Sequence, residues 1–233
     1  MENHILIESP DGTFRAYISR PAKLPAPAVV VLQELFGVNA DIRATCNELA
    51  AEGFIAIAPD LFWRQEPGVD LDVRSDAAWQ RGLQLYAAYN SRCGRERYHG
   101  NSPHRCRTAG VDGKGGAARV LPWRVDGIYS ITAARYEVDA AVAYHGGDTE
   151  KYLGEVGGLK APLLMHLGEE DEFISKAAQA EIKAALAGKP NATVYSYPGQ
   201  CHAFSRHNGA HYNAAAATLA NARTKEFLHR QLQ

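Results

Sequence analysis

The chain has 233 residues, of which 46% are hydrophobic, so it can bury one sizeable core, and we expect a single domain over residues 1–233. Its 25 basic residues nearly balance its 26 acidic ones, which argues against a general attraction to nucleic acid or to an anionic membrane. No segment approaches the roughly 18 apolar residues of a membrane span, and the first residues lack the pattern of a secretory signal. We therefore expect a cytoplasmic protein that binds a small molecule, and we assign it as a monomer.

The first sixty residues predict a β-hairpin followed by a strand, a helix and a second strand. The turn signal Asp11-Gly12 separates the two strands of the hairpin. Apolar residues recur at helical spacing over 42–51, and Gly53 ends that helix. Two later apolar runs are typical of buried parallel strands. The predicted strands of this region are 5–8, 14–19, 28–32 and 54–58.

The alternation of strands and helices resumes near residue 140 and continues to the end of the chain. Strands are predicted at 140–144, 162–167 and 193–197, and helices at 176–186 and 213–232. Alternation of this kind predicts an α/β fold, with a doubly wound, mainly parallel sheet that helices cover on both faces.

Residues 91–129 do not fit this alternation. The 39 residues contain seven arginines and seven glycines, and no apolar face repeats at period 2 or 3.6. A sheet of this size needs a strand and a helix here, and structureless loops of this length are uncommon in compact domains. A mobile loop rich in arginine and glycine is nevertheless one interpretation.

The cysteines favour neither a disulfide framework nor a standard metal site. The four cysteines of the chain are Cys46, Cys93, Cys106 and Cys201. They form no CxxC pair, which is typical of free thiols in a reducing compartment. A metal site built from residues of the anomalous segment is a weak alternative, because their spacings match no common zinc pattern. Those residues are Cys93, His99, His104 and Cys106.

Two polar residues late in the chain form a candidate catalytic pair. Asp171 and His202 each follow a predicted strand directly. In α/β-hydrolases the acid and the histidine follow the nucleophile in this order, each on a loop at the end of a strand. Such a site needs a base close to the nucleophile and a carboxylate that orients the base. An exposed aspartate and an ordinary polar histidine are the alternative interpretation.

Four segments together resemble the dienelactone hydrolase family. The first segment directly follows the first buried strand and reads Gln33-Glu34-Leu35-Phe36-Gly37-Val38-Asn39. The other three segments are Ala58-Pro59-Asp60-Leu61-Phe62, Gly168-Glu169-Glu170-Asp171 and the histidine loop with Arg206. The resemblance covers nearly the whole chain outside residues 91–129 and implies the α/β-hydrolase fold.

The resemblance also implies a Cys-His-Asp triad in which Asp171 and His202 are two members. Glu34 would contact the cysteine, and the loop after the first buried strand would supply an N–H to the oxyanion. Arg206 matches an arginine that binds the substrate carboxylate. Arg81 is a weaker match, because placing it needs a shift of about two residues in its helix. The resemblance implies neither a cofactor nor a metal.

The chain departs from the family at the nucleophile. Neither G-x-C-x-G nor G-x-S-x-G occurs anywhere, and the cysteine is expected near Trp123. Cys201 and Ala203 flank His202, where the family usually has glycine and a small polar residue. Cys201 is an alternative nucleophile, but no elbow surrounds it, and adjacent residues after a strand project differently.

A shifted reading frame over residues 91–129 accounts for the missing nucleophile. Trp123 has only the codon TGG, so a codon shifted by one base begins with GG and encodes glycine. Leu121 as CTG, followed by the C of a proline codon, gives TGC for cysteine. With allowed synonymous codons, residues 119–124 permit Gly-Phe-Cys-Leu-Gly-Gly, which is the required elbow. The same shift over 92–98 permits Asp-Ala-Gly-Val-Ser-Asp-Ile, the start of an amphipathic helix.

For the intact gene product, the resemblance implies a hydrolase that opens an enol-lactone such as carboxymethylenebutenolide to maleylacetate. The chain as printed lacks the cysteine and should be unstable and inactive. Two alternatives stay open: an esterase of the same fold that acts on another small ester, and a non-catalytic relative that binds a small carboxylate.

Overall fold

A computed structural model describes residues 3–10, 12–89, 118–121 and 138–233. The chain forms two compact units, Met1–Gly115 and Gly116–Gln233. None of the helices in these described ranges is long and apolar enough to cross a membrane. The assignment of residues 1–233 to one domain stays a prediction.

The first unit confirms the predicted hairpin and the strand, helix and strand that follow it. Among its described strands, which lie in the order β1-β2-β4-β3, only β3 and β4 run parallel. Within the described residues, the elements of this unit are β1 (His4–Ser9), β2 (Gly12–Ser19), β3 (Ala28–Val31), α1 (Ala40–Ala51), β4 (Ile55–Pro59) and α2 (Asp76–Ala88).

The boundaries of α1 follow from the capping residues that the sequence provides. The Asn39 side chain accepts a hydrogen bond from the Ile42 N–H at 3.2 Å, which satisfies one free donor of the first turn. Gly53 has a φ of 97°, a left-handed conformation that costs glycine little, and the chain turns there into β4. All five residues of β4 are buried, which explains the unbroken apolar run.

The described part of the second unit is an all-parallel sheet with helices packed on it. The strands lie in the order β5-β6-β7-β8, and each pair of neighbours is parallel. The elements are β5 (Ala118–Leu121), β6 (Ala141–Tyr144), a 3₁₀ helix (Thr149–Gly158), β7 (Leu163–Gly168), α3 (Lys176–Ala187), β8 (Ala192–Tyr197) and α4 (Ala214–Leu232).

Helices α3 and α4 cover opposite faces of this sheet. Met165 and Leu167 of β7 share a buried cluster with Ile182 of α3. The residue between them, His166, points the other way because side chains alternate along a strand, and it contacts Thr224 of α4. Both faces of β7 are therefore buried, as the sequence predicted.

Strand β5 lies inside the segment 91–129, where the sequence shows no apolar pattern that would predict a strand. Val120 pairs with Val142, and Leu121 pairs with Ala143. Ladder hydrogen bonds join backbone groups, so a short stretch can pair with the edge of a sheet although its side chains have no periodic pattern. The strand ends two residues before Trp123, which lies outside the described residues, as do the remaining residues of that segment.

A polar network is buried between the sheet and α4. His166 lies between the hydroxyls of Tyr197, 2.8 Å from its Nδ1, and Thr224, 3.0 Å from its Nε2. The Tyr144 hydroxyl lies 2.7 Å from the same Thr224 hydroxyl. Burial, followed by the charge of Arg223, lowers the pKa of His166 to about 3. The imidazole is therefore neutral in the folded chain at neutral pH.

This neutral imidazole makes the stability of the fold depend on pH. An unfolded His166 binds a proton below its ordinary pKa of 6.5, whereas the folded one does so only near 3. The contribution of the neutral His166 to stability is therefore fully present above pH 6.5 and is lost as the pH falls toward 3. For one group, the free energy of unfolding falls by about 1.4 kcal/mol for each unit that the pH drops in this range.

The effect of His166 on stability can be measured by urea unfolding of the wild type and of His166→Gln between about pH 4.5 and 6. The free energy of unfolding should depend less steeply on pH in the variant, by about 1.4 kcal/mol per pH unit, because the variant lacks this one titrating group. Equal slopes would contradict a neutral His166.

Candidate active site

Asp171 lies on the loop that follows β7, and backbone groups fix its carboxylate. Its Oδ1 accepts hydrogen bonds from the N–H groups of Phe173 at 2.8 Å and Ile174 at 3.0 Å. The side chain is fully buried, with 0% of its surface exposed. The loop therefore holds Oδ2 in one direction, toward the neighbouring loop.

His202 lies on that neighbouring loop, after β8, and meets the carboxylate directly. Its Nδ1 is 2.7 Å from Oδ2 of Asp171, and 2% of the histidine side chain is exposed. The backbone N–H of His202 donates to Oε2 of Glu172 at 3.1 Å, which ties the two loops together a second time. A carboxylate at Nδ1 favours the tautomer with the proton on Nδ1, so Nε2 is the basic nitrogen. The pair can thus serve as a general base and its orienting acid.

Gly168 allows the two loops to approach each other. A Cβ at this position would lie 2.5 Å from the Gln200 carbonyl oxygen and 2.7 Å from that of Cys201. Both atoms belong to the backbone of the histidine loop, so they cannot move aside as a flexible side chain would. The absence of a side chain at the end of β7 is therefore a condition for the short distance between Asp171 and His202.

His145 belongs to this site, although our sequence analysis missed it. It directly follows β6 and is buried, with its ring centroid 5.1 Å from that of His202 and 4.8 Å from that of Phe204. Its φ of 51° is left-handed, a conformation that is uncommon outside glycine and that often marks functional sites. Burial, then the charges of His202, Arg206 and His166, lower the pKa of His145 well below 6.5, so the ring is neutral. Its position after a strand, like that of Asp171 and His202, was the available signal.

The two arginines from the sequence analysis differ in environment. Arg206 is buried, and its backbone N–H donates to the Ala203 carbonyl at 3.0 Å in the turn after His202. The charge of Arg206 is also one cause of the lowered pKa of His145. Arg81 lies on α2 of the first unit, half exposed, in an ion pair with Glu66.

Glu34 is buried at the end of β3, on a loop whose shape is tightly constrained. The Gln33 side chain accepts a hydrogen bond from the Leu61 N–H at 3.0 Å, and the Gly37 N–H donates to the Glu34 carbonyl at 3.2 Å. Gly37 has a φ of 77°, and a Cβ there would lie 2.0 Å from the Val69 carbonyl oxygen. Only glycine fits this turn.

The two cysteines within the described residues have different environments. Cys46 is buried in α1, and burial raises the pKa of its thiol to about 12, which makes it unreactive. Cys201 is half-buried beside His202.

Comparison with solved structures supports the fold. In structure, the chain resembles a dienelactone hydrolase-like promiscuous phosphotriesterase from metagenomic libraries, with a TM-score of 0.75 at 20% identity, over 99% of this chain and 98% of that one. This likeness supports the fold alone. The fold and the post-strand acid and histidine define the class: the chain has the α/β-hydrolase fold.

Sequence comparison identifies the family. A model of the dienelactone hydrolase family matches residues 14–99 and 127–232. The chain is 36% identical to a carboxymethylenebutenolidase of Pseudomonas putida, with 96% of this chain and 94% of that one aligned. It is 40% identical to an Azospirillum brasilense protein provisionally named a carboxymethylenebutenolidase, over 95% of both chains. The chain belongs to the dienelactone hydrolase family, a family of ester hydrolases.

The close approach of the loops at Gly168 can be tested by adding a methyl group. Gly168→Ala should lower the free energy of unfolding by about 1–3 kcal/mol, because the new Cβ meets backbone that cannot yield without distorting the site. Gly188→Ala is the matched control, since a Cβ there meets nothing within 4 Å and should change stability by less than about 0.5 kcal/mol. Urea unfolding of both variants measures the difference. A Gly168→Ala variant as stable as the control would show that the loops do not approach this closely.

Proposed function

We propose that the intact gene product hydrolyses an enol-lactone that carries a carboxylate, such as carboxymethylenebutenolide, to maleylacetate. The observation that carries this proposal is the buried 2.7 Å contact between Oδ2 of Asp171 and Nδ1 of His202. It occurs in a chain of the dienelactone hydrolase family, whose relatives include carboxymethylenebutenolidases. We also propose that the protein is a cytoplasmic monomer.

The reaction proceeds by covalent catalysis. His202 accepts the proton of a cysteine thiol through Nε2, and the thiolate attacks the lactone carbonyl. Asp171 keeps His202 in the correct tautomer and stabilises the imidazolium. The ring C–O bond then breaks, which leaves a thioester on the cysteine and an enolate that takes the proton from the His202 imidazolium. His202 next activates a water molecule, which hydrolyses the thioester and frees the cysteine. Backbone N–H groups, including the one after the cysteine, stabilise the oxyanions.

The printed chain lacks the nucleophilic cysteine of this reaction, and we propose that the gene encodes it. The family model stops at residue 99 and resumes at 127, so the unmatched residues 100–126 lie within the segment 91–129. Trp123 lies in this gap, two residues after β5 ends. In α/β-hydrolases the nucleophile elbow directly follows a strand, so the end of β5 is the position along the chain where the nucleophile is expected. We infer that a shifted frame has replaced the cysteine and that the printed chain is inactive.

Three further residues would serve the substrate and the nucleophile. Arg206, which is buried in the turn after His202, would pair with the substrate carboxylate. Arg81 would have to leave Glu66 to contribute a second ion pair. Glu34 would contact the cysteine.

Restoring the frame should restore the enzyme. The printed chain should show negligible lactone hydrolysis, because loss of a triad nucleophile leaves only roughly 10³ to 10⁴-fold catalysis over water. A chain with the frame restored across codons 91–129 should turn over the dienelactone and contain one rapidly alkylated cysteine. Iodoacetamide should leave Cys46 unlabelled in both chains, since burial raises the pKa of that thiol to about 12. His202→Ala and Asp171→Asn should then suppress turnover. Enzyme-like turnover by the printed chain, abolished by Cys201→Ala, would overturn this assignment.

The carboxylate-binding role of Arg206 separates a lactonase from an esterase of broader specificity. In the frame-restored enzyme, Arg206→Gln should raise KM for the carboxylate-bearing lactone by at least about tenfold, the equivalent of one charge-assisted hydrogen bond of about 1.5 kcal/mol or more. KM for a neutral ester such as p-nitrophenyl acetate should change far less. Equal losses for both substrates would identify a structural role for Arg206 instead.

A further inference from the structure

The active-site histidine has two neighbours that could bind a metal ion together with it. His145, Asp171 and His202 each offer one ligand atom, these atoms lie within 4.8 Å of one another, and all three residues are buried. They come from loops that follow three adjacent strands, β6, β7 and β8. Adjacent parallel strands of the second unit therefore position all three residues.

The chemistry of these ligands suits zinc. Two imidazoles and one carboxylate, with a fourth position left for water, form a common ligand set of zinc enzymes. Zinc bonds to nitrogen and oxygen measure about 2.0–2.2 Å, which in a tetrahedron places the ligand atoms about 3.4 Å apart. The three ligand atoms lie within 4.8 Å of one another, and rotations of the two imidazoles that move these atoms by about an ångström would bring them to this spacing.

A second observation points to a ligand at this place. Nδ1 of His145 is buried, and no group in the described part of the chain forms a hydrogen bond with it. Its other nitrogen, Nε2, lies 3.3 Å from the Ser205 hydroxyl. Metal-binding histidines commonly use one nitrogen for the metal and the other for a polar neighbour that orients the ring. A buried polar atom without a partner costs free energy, and a bound metal ion would recover it.

We propose that His145, Asp171 and His202 bind a divalent transition-metal ion such as Zn²⁺, and that the bound ion inhibits the enzyme reversibly. The ion takes His202 and Asp171 as ligands, so His202 can no longer move a proton to or from the nucleophile. Metal binding does not depend on the proposed lactonase activity, whereas the inhibition rests on it.

A second cluster nearby must be separated from this site. Glu172, Cys201 and His211 also offer atoms within 4.8 Å of one another, but they are more exposed, and Nδ1 of His211 already lies 3.2 Å from the His202 carbonyl. Cys93 and Cys106, outside the described residues, could also bind zinc. The test therefore uses the full printed chain with Cys93→Ser and Cys106→Ser, and Cys201→Ser as the control for the exposed cluster.

Zinc affinity, measured by competition with a chromophoric chelator after EDTA treatment, should decide between the clusters. His145→Asn should weaken zinc binding by at least about tenfold, since loss of even an outer-sphere partner of a metal ligand costs 10 to 100-fold. Asparagine tolerates the left-handed backbone at this position. Asp171→Asn, a second variant, should show the same loss, whereas Cys201→Ser should bind like its parent. Melting without metal shows that each variant is folded.

Two results would overturn the proposal: no zinc binding by the parent chain, or binding that Cys201→Ser abolishes and His145→Asn leaves unchanged. In the frame-restored enzyme, zinc should inhibit turnover, and EDTA should restore it. Inhibition should need at least about tenfold more zinc in His145→Asn, in step with its lost affinity. If the frame-restored enzyme is inactive while the printed chain binds zinc through His145, the proposed function fails and the metal site stands.

Discussion

A buried hydrogen bond between Nδ1 of His202 and Oδ2 of Asp171, at 2.7 Å, joins the functional side chains of two loops of the second unit. Because both side chains are excluded from water, each needs the other as a partner. The bond also selects the histidine tautomer and so gives the site its base. The backbone N–H groups that hold Asp171, the missing side chain at Gly168 and the order of β6, β7 and β8 all serve to bring these two atoms together.

Much of the fold could be predicted because the buried strands carry unbroken apolar runs. The runs at 54–58 and 162–167 correspond to β4 and β7, each within one residue. Strand β5 could not be predicted, since its pairing with β6 depends on backbone groups that any sequence supplies. Helix α2 has only three buried residues, Ala78, Gly82 and Leu85, which leaves too narrow an apolar face to define its ends from the pattern.

Part of the candidate active site could be predicted from the sequence, and part could be found only in the folded structure. Asp171 and His202 could be proposed because their order along the chain matches a known catalytic arrangement. His145 shares their position after a strand, here Ala141–Tyr144, but no order or spacing along the chain relates it to the other two, so the sequence alone does not single it out. Parallel pairing of β6 with β7, and of β7 with β8, places the three strand ends at one edge and so brings the rings together. The buried nitrogen of His145 then becomes chemically significant only in three dimensions.

The central claim is that a working triad is encoded in the gene and that a shifted frame hides its nucleophile. Sequencing the source DNA across codons 85–135 tests this most directly. The account predicts one base lost or gained near codon 91 and a compensating change near codon 129, with TGC for cysteine spanning the codons of Leu121 and Pro122. A DNA sequence that encodes the printed residues 91–129 in one continuous frame would contradict it and would favour a non-catalytic relative that binds a small carboxylate.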